Sequence, residues 1–190
     1  MKLPKFAAVS LLASALSLSL IGSALAQTVK LSTSEGDIIV QLDAAKAPKS
    51  VENFVQYVKA GHYNGTVFHR VIESFMIQGG GMTPDMKEKS VRAPIPLESR
   101  NGLSNVRGTL AMARTNVADS ATSQFFINVK DNAFLDASQS PDGNGYAVFG
   151  KVIQGMDIVD KIRKVKTTQK GPHGDVPVQP IVIKQASLEK

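Results

Sequence analysis

From Val29 the chain alternates. Val29, Leu31 and Thr33 are separated by polar residues, Glu35-Gly36 supplies a turn, and Ile38, Val40 and Leu42 alternate again. That pattern predicts an opening β-hairpin. The period then changes. Pro48 suits the first turn of a helix, Val51, Phe54, Val55 and Val58 follow at helical spacing, and Gly61 offers a stop. Short β-like runs return over residues 66–71, 75–79, 109–114, 124–129 and 146–153. Ile158, Val159, Ile162 and Val165 predict a second short helix, and residues 180–188 a last strand. The reading is a mainly β domain of eight strands and two helices without internal repeats. A closed barrel and a sandwich satisfy it equally. Residues 80–107 and 166–177 carry no regular pattern. A loop as long as the first is either functional or a tolerated surface excursion.

The first 26 residues follow a different logic. Lys2 and Lys5 precede an apolar, Ser-dotted run over residues 6–21, and Ala24 and Ala26 place small residues at the last positions but two and at the end. This is the pattern of a secretory signal peptide cleaved after Ala26. The alternative, an uncleaved anchor, is disfavoured because the run is barely long enough to span and contains four serines. Residues 27–190 then form one exported domain, expected in the periplasm and free of the membrane after cleavage.

The absence of cysteine excludes thiolate nucleophiles and cysteine-ligated metals, and three histidines leave little for a histidine-rich metal site. No metal or cofactor is expected. A net charge of +6 is too modest to argue for nucleic acid, and no Lys/Arg–aromatic stripe appears. The serines lie in no nucleophile-elbow pattern. Gly79-Gly80-Gly81 lacks the spacing of a phosphate loop and reads better as a close backbone approach or sharp turn.

One candidate site remains. In a strand over 66–71, Phe68 and Arg70 share a face and His69 takes the other; in 75–79, Phe75 and Ile77 oppose Met76 and Gln78. Arg and Gln beside Phe and Met describe an apolar pocket with a few directed polar groups. Taken by itself, the stretch fits a surface strand pair with a solvated Arg better. Gln124 and Phe126 again set polar beside aromatic on one strand face.

Together, Phe68-His69-Arg70-Val71-Ile72, Phe75-Met76-Ile77-Gln78-Gly79-Gly80, Gly108-Thr109-Leu110-Ala111-Met112-Ala113, Ser123-Gln124-Phe125-Phe126-Ile127 and Ala147-Val148-Phe149-Gly150-Lys151-Val152 resemble the cyclophilin signature, in its order. The resemblance spans residues 29–188. It implies a closed eight-stranded antiparallel β-barrel capped by two α-helices, with a filled interior and an outside groove. It also implies peptidyl-prolyl cis-trans isomerase activity on proline-containing polypeptides, with Arg70, Phe75 and Gln78 as the catalytic set. Met76, Ala113, Arg114, Gln124, Phe126, Phe134, Leu135 and Tyr146 would bind substrate, with His69 alongside. Many eukaryotic members have Trp at the position of Phe134, His at Tyr146 and Asn at Arg114. The first two departures imply weak cyclosporin binding, and the third preserves a contact made through backbone. A monomer is expected. The competing reading from another class is a barrel that holds proline segments or unfolded chains without turnover; Arg70 and Gln78 count against it, because holding proline needs only the apolar pocket.

Overall fold

The computed structural model describes residues 27–189. Eight strands close an antiparallel barrel: β1 (Thr28–Thr33), β2 (Asp37–Leu42), β3 (Thr66–Ile72), β4 (Met76–Met82), β5 (Thr109–Met112), β6 (Phe125–Asn128), β7 (Val148–Gln154) and, last in the chain, β10 (Val182–Glu189). Around the barrel the order is β1-β10-β3-β4-β6-β5-β7-β2. Of the two folds the pattern allowed, the chain adopts the barrel. Closure removes every free sheet edge, which suits strands as short as β5 and β6.

The two helices are α1 (Pro48–Lys59) and α2 (Met156–Arg163). In α1, Pro48 sits in the first turn and Val51, Phe54, Val55 and Val58 are buried. Its orphan N-terminal amides are met from a distant segment. The Glu98 carboxylate accepts from the backbone N–H of Lys49 (3.0 Å) and of Ser50 (2.8 Å), and from the Ser50 hydroxyl (2.7 Å). Gly61, at φ 66°, follows the helix in the left-handed conformation that stops it. Phe54 reaches into the barrel end against Tyr63, Phe125 and Phe149, with ring centroids 5.0–5.4 Å away.

Residues 166–177, expected to be irregular, form a two-stranded hairpin of β8 (Thr167–Lys170) and β9 (His173–Pro177) beside the barrel. All four residues of β8 are exposed, so no alternation of apolar and polar positions marks it. Residues 80–107 are an ordered strap rather than a loose excursion. The Arg92 amide donates to the Tyr57 hydroxyl (2.7 Å), Ile95 bridges to Ala121, and the Leu97 amide donates to Asp119 (2.8 Å). The signal-peptide reading concerns residues 1–26, which lie outside the described residues.

Apolar side chains separate into two bodies. Val29, Leu31, Ile38, Val40, Phe54, Phe68, Ile77, Leu110, Phe125, Ile127, Phe149 and Ile183 belong to the interior core. Met76, Ala111, Phe126, Leu135 and Val148 form a second cluster, with Phe75, Leu103, Ala113 and Tyr146 packed against it. Because Ile77 and Met76, or Ile127 and Phe126, are strand neighbours that point oppositely, the second cluster lies on the outside of the barrel wall.

Candidate active site

The outer cluster is assembled by strand register. Arg70 pairs with Gln78, Gln78 with Phe126, Phe126 with Ala111, and Ala111 with Val148. One row of facing residues therefore crosses five strands, β3-β4-β6-β5-β7, polar at the β3 end and apolar beyond it. Facing side chains in adjacent strands stand about 5 Å apart, so the row is a continuous floor.

Arg70 reaches this face through a bulge. Phe68 pairs with Gly79 and Arg70 with Gln78, which leaves His69 as an extra residue without a partner on β4. Phe68 and Val71 both enter the core, three positions apart. The expectation that Phe68 and Arg70 share a face is thus overturned, because the bulge shifts the alternation between them. Half-exposed, Arg70 has its Nε 3.9 Å from the Asp175 carboxylate on β9. His69 is buried and lines a cavity of about 250 Å³ with Pro84, Met86, Val176 and Pro177. Burial pushes its imidazole down to about 4, with His173 and Arg70 adding to the shift. At neutral pH it is uncharged.

A second expectation also fails. Phe75 precedes β4 and packs with the outer cluster on the side of Met76, not with Ile77. Its ring stacks on the exposed Phe134, with centroids 5.5 Å apart at 29°. Phe134 and Leu135 lie on a 3-10 turn, Ala133–Leu135, and Leu135 closes the floor while Phe134 stands out from it. The Tyr146 ring meets Phe126 edge-on at 5.7 Å. Gln124 falls just before β6, yet its side chain accepts a 2.9 Å hydrogen bond from Gln78, as the shared face with Phe126 predicts. The glycine run belongs to β4 and makes close approaches. A Cβ on Gly81 would lie 2.6 Å from the Gln124 side chain, and one on Gly79 3.0 Å from the Phe68 ring. Ala113 N–H donates to the Gln124 carbonyl (3.0 Å), tying the wall beyond β5 to the start of β6.

Arg114 departs from the rest. Its side chain is 3% exposed and committed to protein partners. Sequence reasoning missed those partners, Asp142 and the Gly145 and Thr115 carbonyls. It also missed Asp175, which lies in the hairpin it read as patternless. The β-branched pair Thr167-Thr168 was the available signal.

The site thus offers an apolar floor, a guanidinium and a carboxamide pair at its β3 end, and the rings of Phe75, Phe134 and Tyr146 around it. Among the described residues the floor itself is lined by apolar side chains, with the Arg70 guanidinium and the Gln78 carboxamide as its polar groups, so its chemistry is that of a cation and directed N–H groups.

Comparisons with known proteins agree with this fold. Residues 28–188 match the family model described as cyclophilin-type peptidyl-prolyl cis-trans isomerase. The chain is 61% identical over 162 residues to peptidyl-prolyl cis-trans isomerase cyp18 of Streptomyces antibioticus, covering 85% of this chain and 98% of that one. It is 58% identical to peptidyl-prolyl cis-trans isomerase A of Dickeya dadantii, covering 85% and 84% respectively. Among solved structures, a cyclophilin-type isomerase of Cryptosporidium parvum superposes with a TM-score of 0.72 at 25% identity, covering 87% of this chain and 99% of that chain. A second structure of that protein, determined in the presence of the dipeptide Ala-Pro, gives the same TM-score.

Proposed function

The chain belongs to the cyclophilin-type peptidyl-prolyl cis-trans isomerases, and we propose that it accelerates X-Pro rotation in exported polypeptides through the Arg70 guanidinium acting at the edge of the outer apolar floor. Peptide-bond resonance sets a barrier of ~18–20 kcal/mol. No bond breaks in the reaction, so a catalyst has only to favour the twisted state. In that state conjugation is lost and the prolyl nitrogen becomes pyramidal and basic. A guanidinium donates to that nitrogen while remaining charged, and does not act as a general acid near neutral pH.

The observation that carries this reading is the register row. It sets Arg70 beside Gln78 and Gln78 beside Phe126, with Met76 two residues along β4 from Gln78, and a proline ring on this floor would exclude water and leave the guanidinium field less screened. Gln78, oriented by Gln124, anchors a carbonyl of the turning segment. Ala113 on the far wall holds the other segment still. Catalysis is then differential binding of the twisted amide. Burial holds the His69 imidazole neutral, so it supplies no imidazolium acid at neutral pH. The presence of Ala-Pro in one relative's structure supports a proline-containing substrate.

Arg70→Ala is expected to lower kcat/KM at least ~100-fold in a protease-coupled assay on an X-Pro peptide, as removal of a strong electrostatic contact does. Near-normal turnover in the folded variant would refute the role, and retained peptide binding without turnover in the unaltered protein would favour the holding function instead. The exported setting rests on the leader pattern, with action in the periplasm as a monomer. Intact mass of exported protein should start at Gln27; retention of residues 1–26 would refute it.

A further inference from the structure

We propose that Arg114 is a positioning residue, its guanidinium a strut that joins the two walls of the groove and fixes the attitude of the Tyr146 ring. The proposal rests on the reading of Tyr146 as part of the substrate groove. Almost wholly buried, the Arg114 side chain would be costly to leave unpaired, and its donors are taken on three sides. Nε donates to the Gly145 carbonyl at 2.9 Å, Nη1 to the Thr115 carbonyl at 2.9 Å, and Nη2 to the Asp142 carboxylate. Its Cζ lies 4.6 Å from the centroid of the Tyr146 ring. The ring is therefore held between a cation on its face and the Phe126 ring, which it meets edge-on.

Asp142 organises the far side of the strut. Its Oδ1 accepts from the Ser140 hydroxyl (2.6 Å) and from the backbone N–H of Asn144 (2.9 Å) and Gly145 (3.2 Å). The Ser140 hydroxyl, followed by Arg114 and the Asn144 amide, holds this carboxyl well below the usual range, so it remains an anion at any working pH. Thus Arg114 leaves the segment that carries Ala113 and ends in the loop that carries Tyr146. Only a planar fork reaches these acceptors together while keeping its carbon over the ring. An asparagine, too short for the span, would satisfy one of them at most. The strut touches no reacting atom. It acts on how tightly residues flanking the proline are held, which is a binding effect and not one on the twisted amide.

Steady-state kinetics on an X-Pro peptide, with kcat and KM resolved, tests this. Arg114→Lys keeps the charge but loses the fork, and should raise KM about tenfold with kcat within twofold. Asp142→Asn should shift KM in the same direction and, with the arginine retained, guards against a folding defect in the lysine variant. Tyr146→Ala should itself raise KM. On that background Arg114→Lys should add less than twofold, since the strut would have nothing left to position. A fall in kcat at constant KM, or full additivity of the two substitutions, would overturn the strut. An unchanged KM in Tyr146→Ala would instead overturn the groove reading at that residue, and with it the purpose assigned to Arg114.

Discussion

His69 provides a prediction in which magnitude and sign both follow from the structure. It occupies the β3 bulge, is 6% exposed, and its Nδ1 is buried without a protein partner. Protonation would place a charge in a buried cavity wall beside Arg70, and this burial outweighs the hydrogen bonds that the Val67 backbone and Gln124 could offer the charged form. The folded imidazole accordingly titrates at about 4, against roughly 6.5 for an unfolded histidine. Between those values the unfolded chain binds more protons than the folded one, so stability rises with pH across the window. The contribution is complete above pH ~6.5, drains as pH falls, and is constant below ~4. The shift corresponds to about 3 kcal/mol.

His69→Gln removes the titration but keeps a polar side chain of similar reach. Urea unfolding of both proteins at pH 7, 5.5 and 4 should show the stability difference moving in the variant's favour by ~3 kcal/mol on acidification. Carboxylate losses and the His62 contribution, whose imidazole burial also pushes down, are common to both proteins and cancel. A difference that stays constant with pH would show that the imidazole is not held neutral by burial.

Three other outcomes can be measured directly. Glu98→Ala uncaps α1 and strands the buried Ser50 hydroxyl, so thermal unfolding should report a loss of about 1–2 kcal/mol, with unaltered stability contradicting the cap. Asp175→Asn should change kcat/KM by less than about threefold, because its pair with Arg70 is long and half-exposed; asparagine tolerates the left-handed backbone at φ 57°, so the fold is preserved. Phe134→Trp should tighten cyclosporin inhibition by about tenfold or more, since Phe has no N–H to offer and is the exposed member of its stacked pair; an unchanged inhibition constant would shift attention to Tyr146.

β1, β2 and the two helices were legible because each has a wetter and a drier side, which alternation or helical spacing reports directly, whereas β3 to β6 are buried on both faces and show only as short apolar runs. The same rule misled at β3. A bulge has no residue signature of its own, so the inward turn of both Phe68 and Val71 could be found only in the register with β4. The β8–β9 hairpin showed weakly for the opposite reason, since β8 is exposed on both faces and has no alternation to display, and β9 buries only its last two residues. The floor was partly readable, as Gln124 and Phe126 alternate correctly and do share a side. The supports of the site were not. Glu98 caps a helix 48 residues earlier and Asp142 meets an arginine 28 residues before it. Nothing in local spacing connects such pairs.

The separation of the apolar residues into an interior body and an outer one gives the barrel wall a further consequence. On the proposed function, a change at Phe75, Phe134 or Tyr146 would alter what the groove accepts while leaving the packing of Leu31, Ile38 or Phe149 inside the wall in place. Preference and foldedness are thereby uncoupled variables in this chain. A lineage can drift toward new clients one outer residue at a time without repairing its interior at each step. The same property recommends the scaffold for directed evolution. A library randomised at those three positions should retain a large folded fraction, whereas one of equal size at three interior positions should lose most of its members.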